Sequence, residues 1–270
     1  MDNRAIGVFD SGLGGLTVFK EIIEQLPNES AIYFGDSGRA PYGTKSRETV
    51  IKYTLQDIRF LMNHDIKMMV IACNTMSAHS YEFVKKSLDI PIIEVIGAGA
   101  ATAVVETKNK KLGIIGTSAT INSGAYQKAI NRLDHNIEII QRACPLFVPL
   151  VEEGQEWWEN DIALRIAQEY LNPLKETGVD TLVLGCTHYP LLQKTISKVM
   201  GENVKLVSSA TEVARVVKKT ILDNNMQRDT RHKAVYRYYT SDSVEKFEPL
   251  CSAILGRNVN SAEKVDIEKY

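Results

Sequence analysis

With 270 residues, the chain has material for one large or two moderate domains and an ample core. Hydrophobic residues at 44% and charged residues at 24% are those of an ordinary soluble globular protein. A net charge of -1 gives no electrostatic reason to expect a nucleic-acid or membrane-surface partner.

The first residues, Met1-Asp2-Asn3-Arg4, lack the basic and long apolar regions of a secretory signal, so a cytoplasmic location is expected. Ala5-Ile6-Gly7-Val8-Phe9 reads as a strand. It runs into the small-residue loop Asp10-Ser11-Gly12-Leu13-Gly14-Gly15 and an amphipathic helix to about Leu26, stopped by Pro27. Such a strand, loop and helix start form an anion cradle, because free N–H groups there bind carboxylate or phosphate. It is not a dinucleotide fingerprint, since Thr17 stands where the third glycine belongs. Ile32-Tyr33-Phe34-Gly35 is a short strand. The loop after it, Asp36 to Gly43, reads either as a structural turn or as a substrate-contacting loop. Gly38 to Ser46 approaches a P-loop, but Thr44 separates Gly43 from Lys45 and no strand leads directly into Gly38.

Ser46 to Asn63 is helical, and an apolar run then ends in Val70-Ile71-Ala72-Cys73-Asn74-Thr75. A helix from about Thr75 to Leu88 and a strand from Ile90 to Val95 follow. Gly97-Ala98-Gly99-Ala100 reads as a boundary before a second βα series. The stretch Ile92 to Val105 contains Glu94 and is too short to span a bilayer. Leu112 to Thr120 echoes the opening strand and turn. Ile137 to Ile140 is a strand, Cys144 to Gly154 a proline-bounded loop, and Trp157-Trp158 lead into a long helix ending near Thr177. Val183-Leu184-Gly185-Cys186-Thr187-His188-Tyr189-Pro190 then repeats the Cys73 pattern. A helix from Leu191, a strand Lys205 to Val207 and a helix from Ser209 to about Asn224 come next. A polar linker, Asn225 to His232, precedes a strand to Thr240 and a helix from Ser243 to Leu255. The tail from Gly256 carries no functional signal.

The echoes predict an α/β fold of two pseudo-symmetric domains with parallel-type sheets. Residues 1–96 plus 208–270 form the first and 97–207 the second, with the site in the cleft between them. Cys73 and Cys186 each follow a buried apolar run and precede a helix. A lone cysteine there is usually a small core hydrophobe. The four cysteines show no C-x₂-C pairs and no disulfide framework, so neither metal nor bridge is expected. The repetition favours function. Strand ends in open α/β sheets are where ligands bind, and a helix start there is expected to lower a thiol's pKa.

The motifs Asp10-Ser11-Gly12-Leu13-Gly14-Gly15, Pro41-Tyr42-Gly43, Ala72-Cys73-Asn74-Thr75, Pro149-Leu150-Val151-Glu152 and Gly185-Cys186-Thr187-His188-Tyr189-Pro190 resemble the glutamate racemases of the aspartate/glutamate racemase family. Their order and spacing agree to about Gly256. The resemblance implies a cofactor-independent isomerase that interconverts L- and D-glutamate for peptidoglycan. It implies Cys73 as the thiol working on D-glutamate and Cys186 as the one working on L-glutamate. Asp10 matches the acidic residue near the first thiol; His188 and Glu152 match those near the second, with Glu153 as the alternative to Glu152. Ser11, Tyr42, Gly43, Asn74, Thr75 and Thr187 match substrate contacts, together with Asp10 and His188. Thr117 and Thr120 match hydroxyls that hold a carboxylate. The partner implied is small-molecule glutamate, with no cofactor, metal, nucleic acid or membrane, and a homodimer is compatible with it.

Racemisation removes a proton from one face of Cα and returns one to the other, so two opposed groups are needed. A thiol serves as acid or base because its pKa of about 8.5 is tunable toward 7. His188, two residues after Cys186, is placed to take its proton or orient it; alone it would read equally as a strand-end histidine. An ionised Asp10 would raise the pKa of Cys73, so Asp10 reads as a base or as a partner for the ammonium. Two rivals are an amino-acid-binding module, which would show no turnover by circular dichroism, and a thiol redox protein, which thiol titration would reveal.

Overall fold

A computed structural model describes all 270 residues. One six-stranded sheet has the order β10-β9-β2-β1-β3-β4, built from β1 (Ala5–Asp10), β2 (Ala31–Gly35), β3 (Ile66–Ile71), β4 (Ile92–Glu94), β9 (Tyr236–Thr240) and β10 (Ala262–Lys264). A four-stranded sheet has the order β6-β5-β7-β8, with β5 (Lys111–Gly116), β6 (Glu138–Ala143), β7 (Thr181–Gly185) and β8 (Lys205–Ser208). Every pairing is parallel. The inner strands β1, β3 and β7 are mostly apolar and buried end to end, or nearly so, as strands covered on both faces are; the buried Lys67 in β3 is paired with Glu29.

The segments β2-β1-β3-β4 and β6-β5-β7-β8 share one order. In each, the direction of winding reverses at the central strand, and a crevice opens at the carboxyl ends beside it. The helices follow apolar spacing. Leu16–Gln25 buries Leu16, Phe19 and Ile23, one face of a helix. A single apolar cluster runs from Ile6 to Val259 and includes residues of both sheets, while a second, around Phe34, Phe60 and Tyr239, covers the other face of the larger sheet.

Two local expectations are corrected. Gly97-Ala98-Gly99-Ala100 is no break but the start of helix Val95–Glu106. Glu94 caps it, accepting from the N–H groups of Ile96 at 2.6 Å and Gly97 at 2.7 Å, which offsets the weak helix propensity of glycine. The proline-bounded stretch after Cys144 contains helix Phe147–Glu152. Pro149 lies in its first turn, where a missing N–H costs no helical hydrogen bond. No helix is long and apolar enough to cross a membrane.

Candidate active site

The chain segments leaving β1, β3, β5 and β7 meet at one cavity of about 240 Å³. The six-stranded half supplies Ser11, Tyr42, Gly43, Cys73, Asn74 and Thr75 to its wall; the other half supplies Thr117, Glu152, Cys186, Thr187 and His188. Asp10 and Thr120, expected as substrate contacts, lie one layer behind.

Cys73 sits between β3 and helix Asn74–Val84, 5% exposed. Its thiol donates to Ser11 Oγ at 3.4 Å. Asp10, the last residue of β1, is wholly buried. Its Oδ2 accepts from the Gly12 N–H at 3.0 Å and its Oδ1 from the Thr187 hydroxyl at 3.2 Å. Burial raises the Asp10 carboxyl's pKa, against the charge of His188 and the N–H groups of Gly15 and Gly12. Burial, and after it the Asp10 carboxylate, pushes the Cys73 thiol up to about 12. The expectation that a helix start lowers this pKa is therefore reversed: desolvation outweighs the helix end.

Cys186 follows β7, and its Sγ lies 3.7 Å from Nδ1 of His188. The other ring nitrogen, Nε2, lies 3.1 Å from Oε1 of Glu152. This contact belongs to Glu152 and not to Glu153. Burial alone would lower the pKa of His188, but the Cys186 sulfur and Glu152 outweigh it and hold the ring well above its ordinary value. The imidazolium so favoured bridges a sulfur and a carboxylate.

Close approach interlocks the halves. A Cβ on Gly14 would sit 2.4 Å from Nδ1 of His188, so only glycine fits there. A Cβ on Gly43 would fall 2.6 Å from that of Thr117. The hydroxyls of Thr75, Thr117 and Thr120 form a triangle with sides of 2.9, 3.2 and 3.0 Å. Thr120 thus touches the cavity only through its neighbours. The hydroxyl of Tyr42 donates to Asp36, which Arg39 also holds at 2.7 Å while reaching Asp57 at 3.0 Å.

Sequence reasoning missed Ser118, Pro145 and Val148 on the cavity wall. Val148 and Glu152 share a face of Phe147–Glu152 at i, i+4 spacing, a signal hidden by reading that stretch as a loop. It also missed Trp158, whose indole N–H donates to Val151 O at 3.0 Å and anchors the turn carrying Glu152. No cluster of three or more His, Cys, Asp or Glu side chains is arranged to hold a metal.

Fold and cavity define a two-domain α/β protein with a small-molecule cleft between its parallel sheets. The model of the Asp/Glu/hydantoin racemase family matches residues 6–217. A glutamate racemase of Geobacter metallireducens is 49% identical over 98% of this chain and 97% of its own. Among solved structures, a glutamate racemase isoform of Bacillus anthracis matches with a TM-score of 0.94 at 39% identity, covering 98% of both chains. The Francisella tularensis glutamate racemase in complex with D-glutamate matches with a TM-score of 0.93 at 38% identity, covering 100% of both. The chain belongs to the aspartate/glutamate/hydantoin racemase family, on its glutamate racemase branch, and is an isomerase.

Proposed function

We propose that the chain interconverts L- and D-glutamate without a cofactor, using Cys73 and Cys186 as its two acid/base groups. The observation that carries this reading is one cavity walled by a strand-end thiol from each sheet, with opposite surroundings. Cys73, held neutral by burial and Asp10, has a proton to give. Cys186 faces an imidazolium that stabilises negative charge on its sulfur. In this state Cys186 takes the Cα proton of L-glutamate, and Cys73 delivers its own proton to the opposite face. The product is D-glutamate, and the two thiols have exchanged protonation states. The reverse reaction starts from Cys73. The hydroxyls of Ser11, Thr75, Thr117 and Thr187 and the amide of Asn74 are donors suited to two carboxylates.

We read residues 1–96 with 208–270, and 97–207, as the domains flanking the cleft. The same reading has the enzyme supplying D-glutamate for peptidoglycan, and so for cell shape, from the cytoplasm. A homodimer is compatible with it, and sedimentation would decide.

The test is Cys73→Ala and Cys186→Ala, assayed by circular dichroism with chelator present and no added cofactor. Removing one positioned acid/base group costs roughly 10²–10⁴-fold, and a turnover uses both, so each variant is expected to lose nearly all racemisation. In deuterated water the wild type is expected to place deuterium on Cα of the product from either enantiomer. A folded alanine variant with near-wild-type rate would return both cysteines to the core.

A further inference from the structure

We propose that Tyr126 is a positioning residue that fixes the orientation of the Asn74 side-chain amide on the cavity wall. The proposal rests on the reading of this cavity as a glutamate site. Asn74 opens helix Asn74–Val84 in one half of the molecule, lines the cavity and is 3% exposed. Tyr126 comes from helix Ala125–Leu133 of the other half and is 1% exposed. Its hydroxyl donates to Asn74 Oδ1 at 2.7 Å.

An amide side chain has two orientations of nearly equal shape, and the hydrogen-bond network decides between them. Tyr126 O–H makes no other hydrogen bond. Were the amide reversed, the hydroxyl would face N–H groups and its own hydrogen would be buried without an acceptor, which is costly. The observed orientation leaves Asn74 Nδ2 buried with no acceptor in the protein. An unpartnered donor on a residue that lines the cavity suits an anionic ligand, and a small shift of the side chain brings it to a substrate carboxylate oxygen. The ring of Tyr126 is seated between two glycines. A Cβ on Gly99 would lie 3.2 Å from its hydroxyl, and one on Gly185 would lie 3.0 Å from its ring. Gly99 belongs to the glycine-rich stretch that looked like a domain boundary; its bareness makes room for the tyrosine.

The experiment compares Tyr126→Phe, Asn74→Ala, their double variant and Asn74→Asp for KM and kcat on glutamate, with thermal unfolding monitored. The phenylalanine ring keeps the seat and removes only the hydroxyl. Loss of one hydrogen-bond constraint is expected to raise KM roughly tenfold with a smaller change in kcat. If Tyr126 acts through Asn74, the double variant has the KM of Asn74→Ala alone. Asn74→Asp keeps an acceptor for Tyr126 but turns an oxygen toward the substrate, so its KM is expected to exceed that of Asn74→Ala. An unchanged KM in Tyr126→Phe, additive rises in the double variant, or a lower KM for Asn74→Asp than for Asn74→Ala would each overturn the proposal. A wild-type protein that does not turn over glutamate would instead sink the glutamate reading, and the proposal with it.

Discussion

Cys73 and Cys186 occupy the same place in two copies of one topology, yet their surroundings differ in charge. Each follows a strand beside the central strand of its sheet, β3 beside β1 and β7 beside β5. After Cys73 the chain enters helix Asn74–Val84 at once, and the thiol faces a serine hydroxyl with a buried carboxylate behind it. After Cys186 a 3-10 turn, Tyr189–Leu192, intervenes before helix Gln193–Met200, and His188, just ahead of the turn, packs back on the sulfur. The backbone sets where a thiol sits; how the two halves close over it and which side chains face it set the charge around it. One sulfur has a hydroxyl and a buried carboxylate beside it and the other an imidazole, so the two walls of the cavity differ electrostatically.

The comparison breaks most visibly if the imidazole is removed. His188→Asn takes away the charge facing the Cys186 sulfur. The expected fall in kcat/KM is roughly 10²–10⁴-fold, the range for a positioned acid/base group. The fall must be equal in both directions, because enantiomers are equally stable and the equilibrium constant is one; kcat and KM separately are free to differ. Progress curves from each enantiomer measure this. A near-wild-type kcat/KM would show that the histidine is only a strand-end residue.

A smaller effect is expected on the other side. Asp10→Asn removes the carboxylate that, after burial, raises the Cys73 thiol. Activity is expected to fall only about tenfold, since burial keeps the thiol neutral without the charge. Alkylation carries the sharper signal. In the wild type, iodoacetamide should label Cys73 slowly until the pH approaches about 12, and in Asp10→Asn labelling should begin at lower pH. The sign for stability follows. The folded thiol binds its proton more tightly than the unfolded one, so its contribution is full below the ordinary thiol value and is lost as the pH rises toward about 12. A labelling profile unmoved by Asp10→Asn would mean that burial alone sets the thiol.

Both thiols were legible in the sequence because apolar runs ending in a small residue and a cysteine occur twice, and a parallel strand is the one element such runs build. The expectation of two similar α/β halves followed from the same echo, and the common strand order emerged only from the structure. The supports of the site were not legible in this way. Tyr126 meets Asn74 across 52 residues, and Thr187 meets Asp10 across 177; no local period announces such pairs. The reversed pKa of Cys73 had the same origin. A helix start is local and readable, whereas complete desolvation depends on how two sheets close over each other. Gly97 to Ala100 and Pro149 were misread because glycine and proline were weighed as breakers without their caps and positions in the turn.

The smallest effect is expected at the outer end of the second pair. Glu152 reaches His188 from a side chain 35% exposed, so water screens part of its charge. Glu152→Gln keeps a hydrogen-bond acceptor for Nε2 and removes the charge, and a loss of less than tenfold in kcat/KM near neutral pH is expected. The pH profile is more telling. Burial lowers the pKa of His188, and the Cys186 sulfur and Glu152 raise it further than burial lowers it. Taking away one of the raising groups brings the pKa down, so the imidazolium is lost at lower pH and the alkaline limb of kcat/KM moves toward neutrality. Stability changes in the same sense. A histidine whose folded pKa is raised contributes most below its ordinary value of 6.5, and that contribution disappears as the pH passes the folded value. The variant should therefore unfold more easily than wild type in mildly acidic buffer and match it in alkaline buffer. An alkaline limb that stays in place would show that the Cys186 sulfur alone holds the proton on His188, leaving Glu152 as a wall of the cavity.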